Sequence, residues 1–161
     1  MRLIFELSGE HPTLPVAELE CVGEVIEARP QVAVAEVPDP GATARLALTH
    51  RVLEYLGSTG PSVEELTRLL RGLSLSTDRP FAARAKRMAG SVAGKPVPVI
   101  ERLMGTLING PIDLARPEVE FRALLSGDRV YLGRVLHRID RGGYDARRPS
   151  TRPFFHPGVM L

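Results

Sequence analysis

The chain has 161 residues, 43% of them hydrophobic and 25% charged, a composition typical of a globular protein and not of a disordered one. No apolar run approaches the length of a membrane span, and the first residues lack the apolar core of a signal peptide, so we predict a cytoplasmic protein without membrane contact. One cysteine, Cys21, excludes an internal disulfide and a cysteine-based zinc site, and we predict that it is a small core residue.

The formal net charge of +2 hides an uneven distribution. The residues up to Asp78 carry 6 Arg against 12 acidic residues, whereas those from Arg79 onward carry 15 Lys+Arg against 7 acidic residues. A basic half in so small a chain indicates binding to a polyanion, because clustered Arg and Lys displace counterions from phosphates. Nucleic acid is therefore the first hypothesis, and an ordinary solvated face is the alternative.

Alternation of apolar and polar residues, helical spacing and turn residues predict five elements in the first part of the chain. They are a strand over 2–8, a helix from a cap at Thr13 to Ile26, a strand over 31–37, a short helix over 42–48 and a strand over 51–56. This order is typical of a small α+β domain of ferredoxin-like type, which we assign to residues 1–57. The glycine-rich stretch 57–61 predicts a domain boundary.

A second α+β unit is predicted after that boundary. It comprises a helix that starts at a capping box of Ser62 and Glu65, a strand over 81–87, a helix with an apolar stripe from Ile100 to Ile108, and a hairpin of strands 119–125 and 130–139. Alternation along the strand over 81–87 places Phe81 on a packed face and Arg84 with Lys86 on the opposite face.

The search for a catalytic motif finds none. The run Gly90 to Lys95 resembles a phosphate-binding loop, but three residues separate its glycines where four are needed, and Pro96 follows the lysine, so nucleotide hydrolysis is excluded. A glycine turn with Lys95 at a helix start, suited to a phosphate, and a plain capping turn both stay open. The four histidines lie far apart, and we predict structural or surface roles for them. We predict no catalytic residue, metal site or cofactor site in this chain.

Basic surface is the remaining candidate for function. Six cations and one carboxylate lie from Arg79 to Arg102, and six arginines and two aspartates from Arg134 to Arg152. The absence of Trp and the few Tyr and Phe favour binding of a stem through its shape and phosphates over stacking on single strands. The predicted RNA-binding residues, expected to line one continuous groove, are Arg84, Lys86, Arg87, Lys95, Arg141, Arg147 and Arg148.

Three segments resemble a known family. Residues 5–12, Phe-Glu-Leu-Ser-Gly-Glu-His-Pro, resemble the start of the archaeal tRNA guanine-N2 methyltransferases that modify guanine 10. Residues 112–149 are similar to the terminal hairpin and exit loop of a THUMP domain, and the tail 152–161 is similar to the entry of that family's catalytic domain. The resemblance implies an N-terminal ferredoxin-like domain over 1–57, a THUMP domain over 61–149 and a linker over 150–161 toward a catalytic domain that is not in this chain.

That resemblance also implies a function. Members of the family grip tRNA by its acceptor stem and 3′ end and present guanine 10 to an S-adenosylmethionine-dependent methyltransferase domain, so this chain would be a tRNA-binding module without a cofactor of its own. The small zinc-binding activator subunit of the family would contact the full-length enzyme only. Two alternatives stay open: the RNA-binding half of another THUMP-containing enzyme, for thiolation, pseudouridylation or deamination, and a protein-interaction or docking domain.

Overall fold

The computed structural model describes residues 1–88 and 90–139. The strands in that part of the chain are β1 (Arg2–Leu7), β2 (Glu24–Arg29), β3 (Val32–Glu36), β4 (Thr49–Thr59), β5 (Phe81–Arg87), β6 (Val119–Ser126) and β7 (Arg129–Arg138). The helices are α1 (Leu14–Leu19), a 3-10 helix η1 (Pro40–Arg45), α2 (Val63–Leu73) and α3 (Val97–Leu107).

The strands form a single sheet in the order β2-β3-β1-β4-β7-β6-β5. Strands β5 and β6 are parallel and are joined through α3, and the other neighbouring strands are antiparallel. A parallel pair needs a crossover connection of this kind, whereas the tight turn at Ser126–Arg129 joins the antiparallel hairpin β6–β7. The predicted α+β fold class is confirmed.

The helices cover one face of the sheet, and two apolar clusters form its core. Around α2 and α3, Leu70 and Met104 pack against Phe81 and Phe121, whose rings meet edge-on with centroids 5.8 Å apart. Around α1, Leu19 packs against Phe5 with other apolar residues of β1, β3 and β4. Helical spacing on α2 and α3 and alternation on the strands direct these side chains to the same layer.

The opposite face is concave, and we call it the concave face. Its apolar centre contains Ile4 of β1, Val34 of β3, Leu53 of β4, Leu124 of β6 and Tyr131 of β7. Strands β4 and β7 lie between β1 and β6 in the sheet, yet side chains of β1 and β6 touch across this face. The sheet must therefore curl strongly, as the twist of antiparallel strands allows.

The first predicted helix is corrected by the structure. It ends at Leu19 instead of Ile26, and Val25 and Ile26 belong to β2, a fourth strand that the predicted order lacked. The helix stops here because the chain turns to pair with β3, and a Cβ at Gly23 would clash with the carbonyl oxygen of Glu36. The short helix predicted over 42–48 is the 3-10 helix η1, which spans Pro40–Arg45 and therefore begins earlier than predicted. It begins there because the carboxylate of Asp39 accepts a hydrogen bond from the Gly41 N–H.

Two local predictions are also wrong. Thr13 does not cap α1 through its side chain; Nδ1 of His11 instead accepts hydrogen bonds from the N–H groups of Thr13 and Leu14, at 3.1 Å each. Cys21 is exposed and is not a core residue. In contrast, the start of α2 is confirmed, because the Ser62 hydroxyl accepts a hydrogen bond from the Glu65 N–H at 3.1 Å.

The predicted boundary at 57–61 contains part of a strand. Strand β4 continues to Thr59, and Gly57, Ser58 and Thr59 pair with β7. This stretch consists of glycine and hydroxyl residues and has no apolar alternation, so its local pattern predicts a loop where the structure has a strand. The sheet is thus continuous across the point where we predicted two domains, and the division of the chain into those domains stays a prediction.

Candidate nucleic-acid interface

Strand β5 lies at one edge of the sheet and carries cations on both of its faces. Lys86 is in register with Leu124 of the concave face, whereas Arg87 is in register with Leu125, which belongs to the helix-side core. Arg84 lies two residues before Lys86 on the strand, so the two side chains leave the backbone on the concave face, as the alternation predicted. Arg87 points to the helix side of the same edge.

Arg87 organises the loop between β5 and α3. Its guanidinium donates hydrogen bonds to the carbonyl oxygens of Ala93, at 2.6 Å, and Lys95, at 2.5 Å. The N–H of Val92 also donates to the carbonyl oxygen of Gly127 in the β6–β7 turn, at 2.9 Å. These contacts hold Lys95 in the residues just before α3, and its exposed side chain has no carboxylate within ion-pair distance among the residues that the structure describes.

Arg84 is held at the edge of the sheet by a backbone group. Its guanidinium donates a hydrogen bond to the carbonyl oxygen of Leu114, at 3.2 Å, in the segment that lies beside the start of β5. Arg84 is also in register with Arg122 of β6, so two arginines stand side by side on the concave face. The hydrogen-bond partner of Arg84 is thus a neutral carbonyl, and no carboxylate of the described residues lies within ion-pair distance of its guanidinium.

Lys86 belongs to a larger group of ion pairs, which we call the Glu6 cluster. Glu6 is fully buried, and its carboxylate lies 3.0 Å from Nζ of Lys86, 3.0 Å from Nε of Arg122 and 3.2 Å from a terminal nitrogen of Arg51. A second carboxylate, that of Glu120, contacts Arg122 at 3.0 Å and Arg138 at 3.6 Å. The members of the Glu6 cluster are Glu6, Arg51, Lys86, Glu120, Arg122 and Arg138.

The charge of Glu6 is fixed by its neighbours. Burial on its own would raise the pKa of this carboxyl group, but Arg122 and Lys86 outweigh burial and lower the pKa below its ordinary value of 4.5. Glu6 is therefore ionised at neutral pH. By formal charge, the two carboxylates of the Glu6 cluster stand against four cations, and the cluster keeps two positive charges in excess.

The structure thus divides the predicted binding residues into two groups around β5. Arg84 and Lys86 lie on the concave face, and Arg87 and Lys95 lie on the helix side. The predicted residues Arg141, Arg147 and Arg148 lie outside the described residues. The binding role of all seven stays a prediction.

Sequence reasoning missed three cations of the Glu6 cluster: Arg51, Arg122 and Arg138. Glu6 and Arg122 are 116 residues apart in the chain, so only the curl of the sheet brings them together. Alternation along β6 could have indicated the face of Arg122. Its neighbours Phe121 and Ala123 belong to the core, so Arg122 must face the other side of the strand.

Other kinds of site find no support in the described part of the chain. No group of three or more His, Cys, Asp or Glu there is placed to hold a metal ion. The ring of His137 contacts the Thr43 hydroxyl at 3.1 Å and His11 caps α1, which are structural roles. Within residues 1–88 and 90–139, no helix has the length and apolar character needed to cross a membrane.

Comparison with known proteins supports a relation to tRNA-modifying enzymes. No family model matches the chain. Over 99% of its length, however, the chain is 31% identical to the tRNA (guanine(10)-N2)-dimethyltransferase of Methanothermobacter thermautotrophicus. The resemblance seen in the sequence is confirmed. The chain spans about half the length of this relative, 51% of it.

Two solved structures share the fold. The TrmN crystal structure from Thermus thermophilus aligns with 91% of this chain and 49% of its own, with a TM-score of 0.64 and 20% sequence identity. A 4-thiouridine synthetase solved as an RNA complex with bound ATP aligns with 86% of this chain and 41% of its own, with a TM-score of 0.56 and 14% identity. At these identities the two structures establish the likeness of fold alone.

Proposed function

We propose that this chain is the tRNA-binding region of a tRNA-modifying enzyme and that it holds the acceptor stem and 3′ end of tRNA. The similarity to a tRNA (guanine(10)-N2)-dimethyltransferase along 99% of the chain supports this assignment. The observation that carries it is the concentration of cations on and beside edge strand β5, where six cations and one carboxylate lie between Arg79 and Arg102.

The geometry suits contacts with phosphates. Arg84 and Arg87 hydrogen-bond to backbone carbonyls, which fix the guanidinium groups without cancelling their charge. Lys95 extends from a loop that Arg87 holds in place. Prearranged cations of this kind fix the position of a nucleic acid, and they carry no base specificity of their own. We assign to these residues, with Lys86, Arg141, Arg147 and Arg148, the role of positioning the acceptor stem.

Methyl transfer to guanine 10 is the reaction that we propose for the whole enzyme, in a cytoplasmic setting. A catalytic domain outside this sequence would bind S-adenosylmethionine and carry the catalytic residues. A zinc-binding activator subunit would contact that domain. The identity of 31% to the dimethyltransferase, along 99% of the chain, favours methylation.

The test measures binding of a labelled tRNA transcript by mobility shift, at several salt concentrations from about 50 mM to about 200 mM. The wild-type chain should bind, with an affinity that falls steeply as salt rises. The double variant Arg84→Gln and Lys95→Gln should bind about a hundredfold more weakly near 0.1 M salt, because each phosphate contact contributes about tenfold through released counterions.

A charge-matched control separates a binding surface from a general effect of net charge. Arg45 on η1 and Arg71 on α2 are exposed and lie away from β5, so Arg45→Gln with Arg71→Gln should change the affinity less than about threefold. No shift of tRNA at low salt, together with a stable dimer in gel filtration, would instead favour the protein-interaction alternative.

A further inference from the structure

Two pairs of arginines stand opposite each other across neighbouring strands on the concave face. Arg51 of β4 is in register with Arg138 of β7, and Arg84 of β5 is in register with Arg122 of β6. Like charges directly opposite each other weaken strand pairing. A sheet that keeps two such pairs on one face must offset the repulsion, either within the protein or with a bound anion.

The carboxylates of the Glu6 cluster offset this repulsion only in part. Glu6 contacts Arg51, Lys86 and Arg122, and Glu120 is shared by Arg122 and Arg138. The four cations of the Glu6 cluster stand against these two carboxylates, which leaves two positive charges in excess within the cluster. Arg84 adds one more cation at the adjoining edge of the sheet. The buried Nε of Arg51 has no hydrogen-bond partner in the described residues, and the Arg138 side chain is 68% exposed.

We propose that this part of the concave face is a phosphate-binding site for the RNA backbone, with Arg51 and Arg138 as its contact residues and the two carboxylates as its supports. The site is separate from the loop that carries Lys95, and it includes three cations that the sequence did not assign. This inference rests on the proposed function and deepens it by naming a second place at which RNA phosphates bind.

The chemistry of the site fits a phosphodiester. A guanidinium presents several N–H donors in one plane, and this geometry matches two phosphate oxygens at once. Glu6 and Glu120 restrict the motion of the cations around them, so less side-chain freedom is lost when RNA binds. The excess positive charge would repel a metal cation and attract an anion, and the planar donors of a guanidinium match two oxygens of one phosphate group.

The experiment compares two double variants that remove the same charge. Wild type, Arg51→Gln with Arg138→Gln, and the control Arg45→Gln with Arg71→Gln are each titrated with a labelled tRNA transcript at several salt concentrations. The concave-face variant should bind about a hundredfold more weakly near 0.1 M salt, and its plot of log affinity against log salt should be less steep by about two. The control should change the affinity less than about threefold.

A single variant covers the case in which the double variant does not fold. Arg138→Gln leaves Glu120 in contact with Arg122 and should keep the wild-type urea midpoint while weakening tRNA binding about tenfold. A second measurement adds inorganic phosphate at constant ionic strength. Competition by about 10 mM phosphate should be weaker against Arg138→Gln than against wild type, because tRNA phosphates and inorganic phosphate share the site. If Arg138→Gln keeps both the wild-type urea midpoint and the wild-type affinity for tRNA, the assignment to the RNA backbone is overturned.

The outcomes separate the two proposals. If wild type binds tRNA and the concave-face variants bind as well as the control variant, this inference fails and the proposed function stands. If wild type does not bind tRNA even at low salt, the proposed function fails as well.

Discussion

Two groups of cations lie around edge strand β5, and the protein fixes them in different ways. On the helix side, Arg87 donates to the carbonyl oxygens of Ala93 and Lys95, so its position is fixed while its charge is undiminished. On the concave face, Lys86 and Arg122 are fixed by the carboxylate of Glu6, which cancels part of their charge. The first arrangement favours attraction of a polyanion, and the second favours rigidity.

The difference follows from the surroundings. The β5–α3 loop is near the surface, where guanidinium groups keep contact with water and need only light support. The Glu6 cluster joins β1, β4, β5, β6 and β7 across a curled sheet, and Arg122 is only 10% exposed at its side chain. A cation so far from water requires an ionised partner, and the partner must then be buried as well.

Replacement of Glu6 should have the largest effect on stability. Glu6→Gln leaves Arg51, Lys86 and Arg122 without the carboxylate between them, so we expect the free energy of unfolding to fall by about 3–5 kcal/mol. Urea unfolding at neutral pH measures this loss. Glu20→Gln, an exposed residue just after α1, is the control and should change the value by less than about 0.5 kcal/mol. Similar losses for the two variants would contradict the structural role of Glu6.

The pH dependence of stability tests the same carboxylate through its ionisation. The pKa of Glu6 is lowered in the folded protein, so its stabilising contribution is present above its ordinary pKa of 4.5 and is lost as the pH falls toward the lowered value. The gap in unfolding free energy between wild type and Glu6→Gln should therefore narrow as the pH drops from about 7 to about 3. A gap that stays constant over this range would mean that the charge of Glu6 is not what stabilises the fold.

The contrast between the two groups also shows what sequence reasoning could reach. Alternation over 81–87 gave the strand and the separate faces of Arg84 and Phe81, because parity is a local property of a strand. Helical spacing and the capping signal of Ser62 likewise gave α2 and its first residue.

Local sequence patterns could not predict the contacts that depend on the curl of the sheet. Glu6 looked like an ordinary polar position on an alternating strand, and nothing within β1 indicates that Arg122 would reach it. Strand β2 was missed because Val22, Val25 and Ile26 also fit a helical stripe, and pairing with β3 decided between the two structures. The predictions failed where contacts between residues distant in sequence outweigh the local spacing of apolar residues.

The smallest expected effect lies on the helix side of β5. Arg87→Gln removes the hydrogen bonds of the guanidinium to Ala93 and Lys95, and we expect a loss of about 1–3 kcal/mol that is confined to the β5–α3 loop. Hydrogen exchange at the amide of Val92, which donates to Gly127, measures this loss as faster exchange. Arg102→Gln, an exposed cation on α3, is the control and should leave the exchange rate unchanged. Unchanged exchange at Val92 in Arg87→Gln would mean that the loop is held by its other hydrogen bonds. Arg87 would then not be needed to fix the backbone of this loop, and the contrast with the cations of the Glu6 cluster would be lost.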